Sequence, residues 1–113
     1  MGRFVVLEHD SPRGRHWDLM LENGQVLATW ALAEPPDAGH AIAAQPLPDH
    51  RPAYLDYEGP ISGNRGHVTR WDRGEYEILA GGFGQEELHA TFHGEKLRGA
   101  FSVRFGRFET ADA

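Results

Sequence analysis

Along most of this chain apolar and polar residues alternate with a period of two, in short runs broken by glycine and proline. That period puts successive side chains on opposite faces and predicts strands. Residues 3–9, carrying Phe4-Val5-Val6-Leu7, are a first strand, and residues 10–15, with Pro12 and Gly14, a loop. Residues 16–22 form a second strand with Trp17, Leu19 and Leu21 on one face and His16, Asp18, Met20 and Glu22 on the other. The first set wants a core, and the second is expected on the wet face. Asn23-Gly24 is a strong hairpin signal, so residues 25–32, with Val26, Ala28, Trp30 and Leu32 alternating, are the partner strand.

Beyond residue 33 the pattern weakens. Pro35, Pro36, Pro46, Pro48 and Pro52 exclude a long helix, leaving room for a short strand at 40–45 and another at 54–58. Gly59, Gly63 and Gly66 mark a loop of tight turns. Residues 67–72 and 75–80 read as two strands around an Asp72-Arg73-Gly74 turn. Residues 87–92 alternate clearly, and residues 97–105 place Leu97, Gly99, Phe101, Val103 and Phe105 inward. About eight short antiparallel strands predict an all-β fold, a small antiparallel barrel that removes exposed edges, with a two-sheet sandwich as the alternative. Trp17, Trp30 and Trp71 are assigned to the core rather than to base stacking. Residues 1–106 are expected to form a single domain, and 107–113, which carry no pattern, a loose tail.

Composition narrows the chemistry. At 113 residues there is material for one core. There is no cysteine, so a metal must be held by His, Asp or Glu. This composition suits a reducing cytosol, and with no apolar run of membrane-spanning length a cytoplasmic protein without a membrane partner is expected. The formal net charge of -6 works against broad nucleic-acid binding, which depends on phosphate neutralisation by Lys and Arg. It still permits a grip on a strand end, where a metal supplies local positive charge.

The candidate chemistry lies on the polar face of residues 16–22. His16 and Asp18 stand two apart on one strand face, and His9 ends the preceding strand, so three ligands can converge on the outer surface of a sheet. His-x-Asp alone also describes two solvated polar residues. His89 and His93 have the spacing of a helical pair, but on a strand they would lie roughly 13 Å apart and are set aside. Glu8, Asp10 and Glu22 could orient the histidines, although solvated acids look the same in sequence.

Several segments together carry a family resemblance: Phe4-Val5-Val6-Leu7-Glu8-His9, His16-Trp17-Asp18-Leu19-Met20-Leu21-Glu22, Thr29-Trp30-Ala31-Leu32, Asp49-His50-Arg51-Pro52-Ala53-Tyr54-Leu55-Asp56-Tyr57-Glu58-Gly59 and Gly66-His67-Val68-Thr69-Arg70-Trp71-Asp72-Arg73-Gly74. In this order they resemble the 3'-phosphoesterase domain of bacterial DNA ligase D and its stand-alone relatives, over residues 3–105. The resemblance implies a disc-like β-barrel with a crescent-shaped active site on its outer surface. It also implies a manganese-dependent enzyme (other divalent transition metals being admissible) that removes a 3'-terminal ribonucleoside and then the 3'-phosphate. The implied substrates are 3' ends of DNA or RNA-tipped DNA, with separate ligase or polymerase proteins as partners in strand-break repair. By position, His9, His16 and Asp18 match the family's metal ligands, and His50 and Tyr54 match residues that engage the scissile phosphate; these five form the expected catalytic set.

Three positions depart from the family pattern. Met20 stands in place of a phosphate-contacting arginine, Leu7 in place of a glutamine, and Glu34 in place of a lysine. A thioether neither donates a hydrogen bond nor carries charge. Arg13, Arg15 and Arg51 are the expected replacements for the lost positive charge. The leading expectation is a metal-dependent 3'-end phosphoesterase acting alone rather than fused to a ligase. The alternatives are a non-catalytic module that binds metal or strand ends, and a hydrolase of small phosphate esters.

Overall fold

Phe4, Val5, Val6 and Leu7 are all at most 1% exposed, which places their strand between two apolar layers. A computed structural model, describing residues 2–111, shows what those layers are. Strands β1 (Gly2–Ser11), β2 (Gly14–Asn23), β3 (Val26–Leu32) and β4 (Ile42–His50) are followed by a 3-10 turn η1 (Pro52–Asp56) and a short β5 (Gly59–Pro60). Then come β6 (His67–Gly81), β7 (Glu87–Gly94), β8 (Arg98–Arg104) and β9 (Arg107–Thr110). The hydrogen-bonded order is β1-β2-β3-β4-β9-β8-β7-β6, and β6 returns to pair with β1. Eight antiparallel strands therefore close into a barrel, with β5 outside on β6. The barrel expectation holds and the sandwich is excluded.

Phe4, Val6, Leu19, Leu21, Leu32, Ile42, Phe92 and Phe108 fill the barrel interior, and Trp17, Trp30 and Trp71 pack against this cluster. Val5 and Leu7 point the other way. With Met20, Leu27 and Val68 they form a second cluster on the outside of the sheet, closed by Leu55 from η1. Covering the outer face of β1 explains why its apolar residues run without alternation.

Four expectations about elements are corrected. Residues 54–58 are not a strand; Pro52 sets the helical φ at the start of η1, and Leu55 anchors that turn. The strand expected at 40–45 continues to His50 through Pro46 and Pro48. Its pairing to β9 involves only Ile42 and Ala43, so the rest of β4 is an edge, where proline is tolerated. Residues 67–81 are one unbroken strand. Asp72 is buried in its middle, and Gly74 is needed there because a Cβ would lie 2.2 Å from the His93 carbonyl oxygen on β7. Finally, residues 107–110 of the expected tail form β9, and Phe108 is fully buried; residues 112 and 113 lie outside the described residues. Phe105, expected inward, is 70% exposed in the β8–β9 turn.

Candidate metal centre

Antiparallel pairing of β1 with β2 sets His9 directly opposite His16 and Leu7 opposite Asp18. Because i and i+2 share a face, His9, His16 and Asp18 converge on the outer side of the barrel, at the end left open by the outer apolar cluster. Their ligand atoms all lie within 4.8 Å of one another. His9 Nδ1 is 3.1 Å from His16 Nε2 and 3.4 Å from Asp18 Oδ2, and His16 Nε2 is 3.0 Å from Asp18 Oδ1.

The face expected to be wet is wet only in part. Asp18 is 3% and Met20 1% exposed, because η1 folds over the sheet and seals the Met20 end. Leu7 and Met20, two of the three departures from the family pattern, both belong to this seal. Two polar residues there would each need a partner; two apolar ones need only packing. Glu34, the third departure, faces His40, with oxygens 2.9 and 3.0 Å from Nε2.

The ring of His9 is oriented from behind. Its Nε2 lies 2.8 Å from the Arg65 carbonyl oxygen and donates to it, so the neutral ring presents the Nδ1 lone pair to the cluster. The loop of Gly63 and Gly66, unassigned by sequence beyond turning the chain, thus fixes His9 in the tautomer that a metal would require. A backbone carbonyl has no residue-type signature, and so the sequence could not disclose it. Gly66 has φ +91°, and a Cβ there would come within 1.9 Å of the Asp10 carbonyl oxygen. Gly66→Ala is accordingly expected to push this loop off β1 and weaken divalent-metal affinity by about 10–100-fold, the usual cost of losing such an orienting partner. Calorimetric titration with manganese checks this.

The donor set fits a metal ion. Asp18 Oδ1 is buried, and although His16 Nε2 is close, no directed hydrogen bond reaches it. Two imidazoles and a carboxylate suit manganese or another divalent transition ion and leave coordination positions open. The neighbouring Asp18 carboxylate raises the pKa of His16 above the ordinary imidazole value, overcoming the opposing effect of burial. Of the acids expected as orienting groups, Glu22 accepts from the Arg3 backbone N–H and Asp10 lies 3.7 Å from Arg15.

The three ligands sit in a recess of about 960 Å³ that also contains Arg13, Arg15, His50 and Arg65. Among the described residues Asp18 is the single acidic one on its walls, so the recess is locally basic in a chain of net charge -6. His50 Nδ1 lies 2.8 Å from the Pro48 carbonyl oxygen and donates to it, leaving Nε2 free. Tyr54 stands edge-on to His50, with ring centroids 5.6 Å apart. Tyr54 and Arg51 line an adjoining depression with Tyr57 and Ile61 rather than the recess itself. The structure therefore brings Arg13 and Arg15 to the metal cluster, adds Arg65, and places Arg51 to one side.

Among the described residues no helix is long and apolar enough to cross a membrane. The model of the DNA ligase D 3'-phosphoesterase domain matches residues 7–104. The multifunctional non-homologous end joining protein LigD of Mycolicibacterium smegmatis is 30% identical over 115 aligned residues, covering 89% of this chain and 15% of that protein. The LigD proteins of Mycobacterium bovis and Mycobacterium tuberculosis are each 29% identical over 109 aligned residues, covering 88% of this chain and 14% of theirs. The chain thus spans about one seventh of the length of these relatives. From the match over nearly its whole length, the chain belongs to the DNA ligase D 3'-phosphoesterase domain family.

Proposed function

We propose that this chain is a metal-dependent phosphoesterase that heals the 3' ends of nucleic-acid strands in DNA repair, removing a terminal ribonucleoside and then the 3'-phosphate. The observation that carries this reading is the convergence of His9, His16 and Asp18 inside a recess walled by three arginines. Three ligands with open positions suit a catalytic ion, and the arginines suit an anionic substrate. The recess is also far larger than a bare phosphate needs, lying toward the upper end of the roughly 300–1,000 Å³ typical of sites for drug-sized ligands. Membership of the 3'-phosphoesterase family supports the end specificity.

A divalent ion held by the three ligands supplies Lewis-acid polarisation of a phosphate oxygen. The chain's own groups do the rest. Arg13 and Arg15, both exposed on the β1–β2 hairpin, hold the phosphate in place of the absent family arginine. With Nδ1–H committed to Pro48, His50 can give a proton only from Nε2, so it serves the leaving oxygen or a phosphate oxygen as the imidazolium. Tyr54 packs on that ring and restricts its orientation. Separate ligase or polymerase proteins would take up the resulting 3'-hydroxyl.

End selectivity tests the proposal. One DNA strand is offered with its phosphate at the 3' end or at the 5' end, and released inorganic phosphate is measured. Release from the 3' end alone is expected. Equal release from both ends and from a small aryl phosphate would replace the strand-end reading with a general small-ester hydrolase.

A further inference from the structure

Phe105 is 70% exposed and has φ 50°, a left-handed backbone that a bulky residue adopts at a cost. Glycine would sit there without strain, and burial gives Phe105 little in return, so the turn holds an aromatic ring outward. The turn is itself well fixed. Its flanking strands β8 and β9 pair through Arg104 and Arg107, and the Gly106 carbonyl accepts a hydrogen bond from Ala44 N–H at 2.8 Å. Phe105 borders a depression of about 270 Å³ together with Trp30, Pro46, Val103 and Arg104. Ala44 and Gly106 line both this depression and the recess of the metal centre. The two hollows therefore share a wall, and β3 and β4 line the recess with Ala31, Ala43, Ala44 and Leu47 beside the polar Gln45.

We propose that the depression at Phe105 is a nucleobase subsite: a base upstream of the 3' terminus stacks on Phe105 while the terminal phosphate occupies the metal recess. This inference rests on the strand-end reading above. Exposed aromatic faces take any base, because every base has a π-face, and stacking gives affinity without sequence selectivity. Arg107, exposed at the first position of β9 and without an ion pair among the described residues, adds positive charge beside the turn for a backbone phosphate. The net charge of -6 fits such a division, in which stacking supplies affinity that dispersed basic charge does not.

The test is direct binding, read by fluorescence anisotropy of a short 5'-labelled DNA strand ending in a 3'-phosphate, with manganese present. Strands carrying one abasic residue at successive positions from the 3' end are compared in wild type, Phe105→Ala and Phe105→Tyr. Removing the base at one position is expected to weaken wild-type binding by about 5- to 150-fold, the range for losing one stacked base. Phe105→Ala should bind the intact strand correspondingly weakly and lose nothing further with that abasic strand, and Phe105→Tyr should restore binding. Equal affinity of wild type and Phe105→Ala for the intact strand overturns the subsite, as does equal loss at every abasic position. Phosphate release from the same strand is recorded in parallel. Release with no Phe105 effect removes the subsite alone, whereas neither binding nor release in wild type removes the strand-end reading as well.

Discussion

Asp18→Asn is expected to lose divalent-metal affinity by at least about 100-fold, the upper end of what even an outer orienting partner costs, and to lose phosphoesterase activity with it. The amide keeps the shape of the carboxylate, so the fold should survive. Asp18 accepts no directed hydrogen bond through Oδ1, and apart from His9 and His16 it is flanked on β1 and β2 by the packed apolar Leu7 and Met20, which do not depend on its charge. A second readout separates a charge effect from a structural one. The Asp18 carboxylate is what raises the pKa of His16; in the metal-free variant the His16 imidazole should therefore titrate at lower pH, visible by NMR. The two pH effects run in opposite directions. In the metal-free protein the raised His16 pKa stabilises the fold at low pH, and this contribution is lost as pH rises through the folded value. Metal binding needs the neutral ring, so affinity grows over that same rise. If Asp18→Asn bound manganese as tightly as wild type, the ligand set would be wrong.

The second large effect concerns stability alone. Asp72 is 5% exposed, and its carboxylate accepts from the backbone N–H groups of Glu95, Lys96 and Leu97 at 3.1, 3.0 and 2.7 Å. These donors form the β7–β8 turn, and no strand partner is available to them there. Asp72→Ala strips an ionised acceptor from all three and leaves a hole beside Phe4 and Gly94. The expected loss is about 3–5 kcal/mol, treating the three charge-assisted bonds as less than additive. For a domain of this size that lowers the thermal midpoint by on the order of 10–20 °C. Thermal unfolding followed by circular dichroism checks it, and a fall of only a degree or two would mean that the turn finds other acceptors. Since Asp72 lies away from the recess, manganese affinity at low temperature should be unchanged.

How far these features could be read from sequence varies with their cause. Period-two alternation and the Asn23-Gly24 hairpin disclosed β2, β3 and the barrel, because those are local patterns. His16 and Asp18 were legible for the same reason, and His9 as the end of the preceding apolar run. That residues 10–15, read as a loop, continue the β1–β2 ladder as a tight hairpin and set His9 opposite His16 emerges from the structure. The outer apolar cluster was not legible: Leu55 comes from a turn more than thirty residues downstream of Met20, and nothing local to β2 announces that its polar-looking face will be capped. Strand β9 escaped notice because a four-residue strand with Phe108 as its one buried side chain has no period to detect. The Asp72-Arg73-Gly74 segment has turn composition but a different physical role: Asp72 serves a turn on the neighbouring hairpin, and Gly74 makes room for the strand beside it.

On the proposed reading, His9, His16 and Asp18 hold a catalytic ion that acts on a 3'-terminal phosphate. Release of that phosphate from a primer-template, with and without manganese and with His16→Ala protein as the blank, tests it most directly. Manganese-dependent release is expected from the wild type, none above background from His16→Ala, and a product strand that a polymerase can extend. Release that persists in His16→Ala, or wild-type protein that binds manganese at this site yet leaves the 3'-phosphate intact, would contradict it.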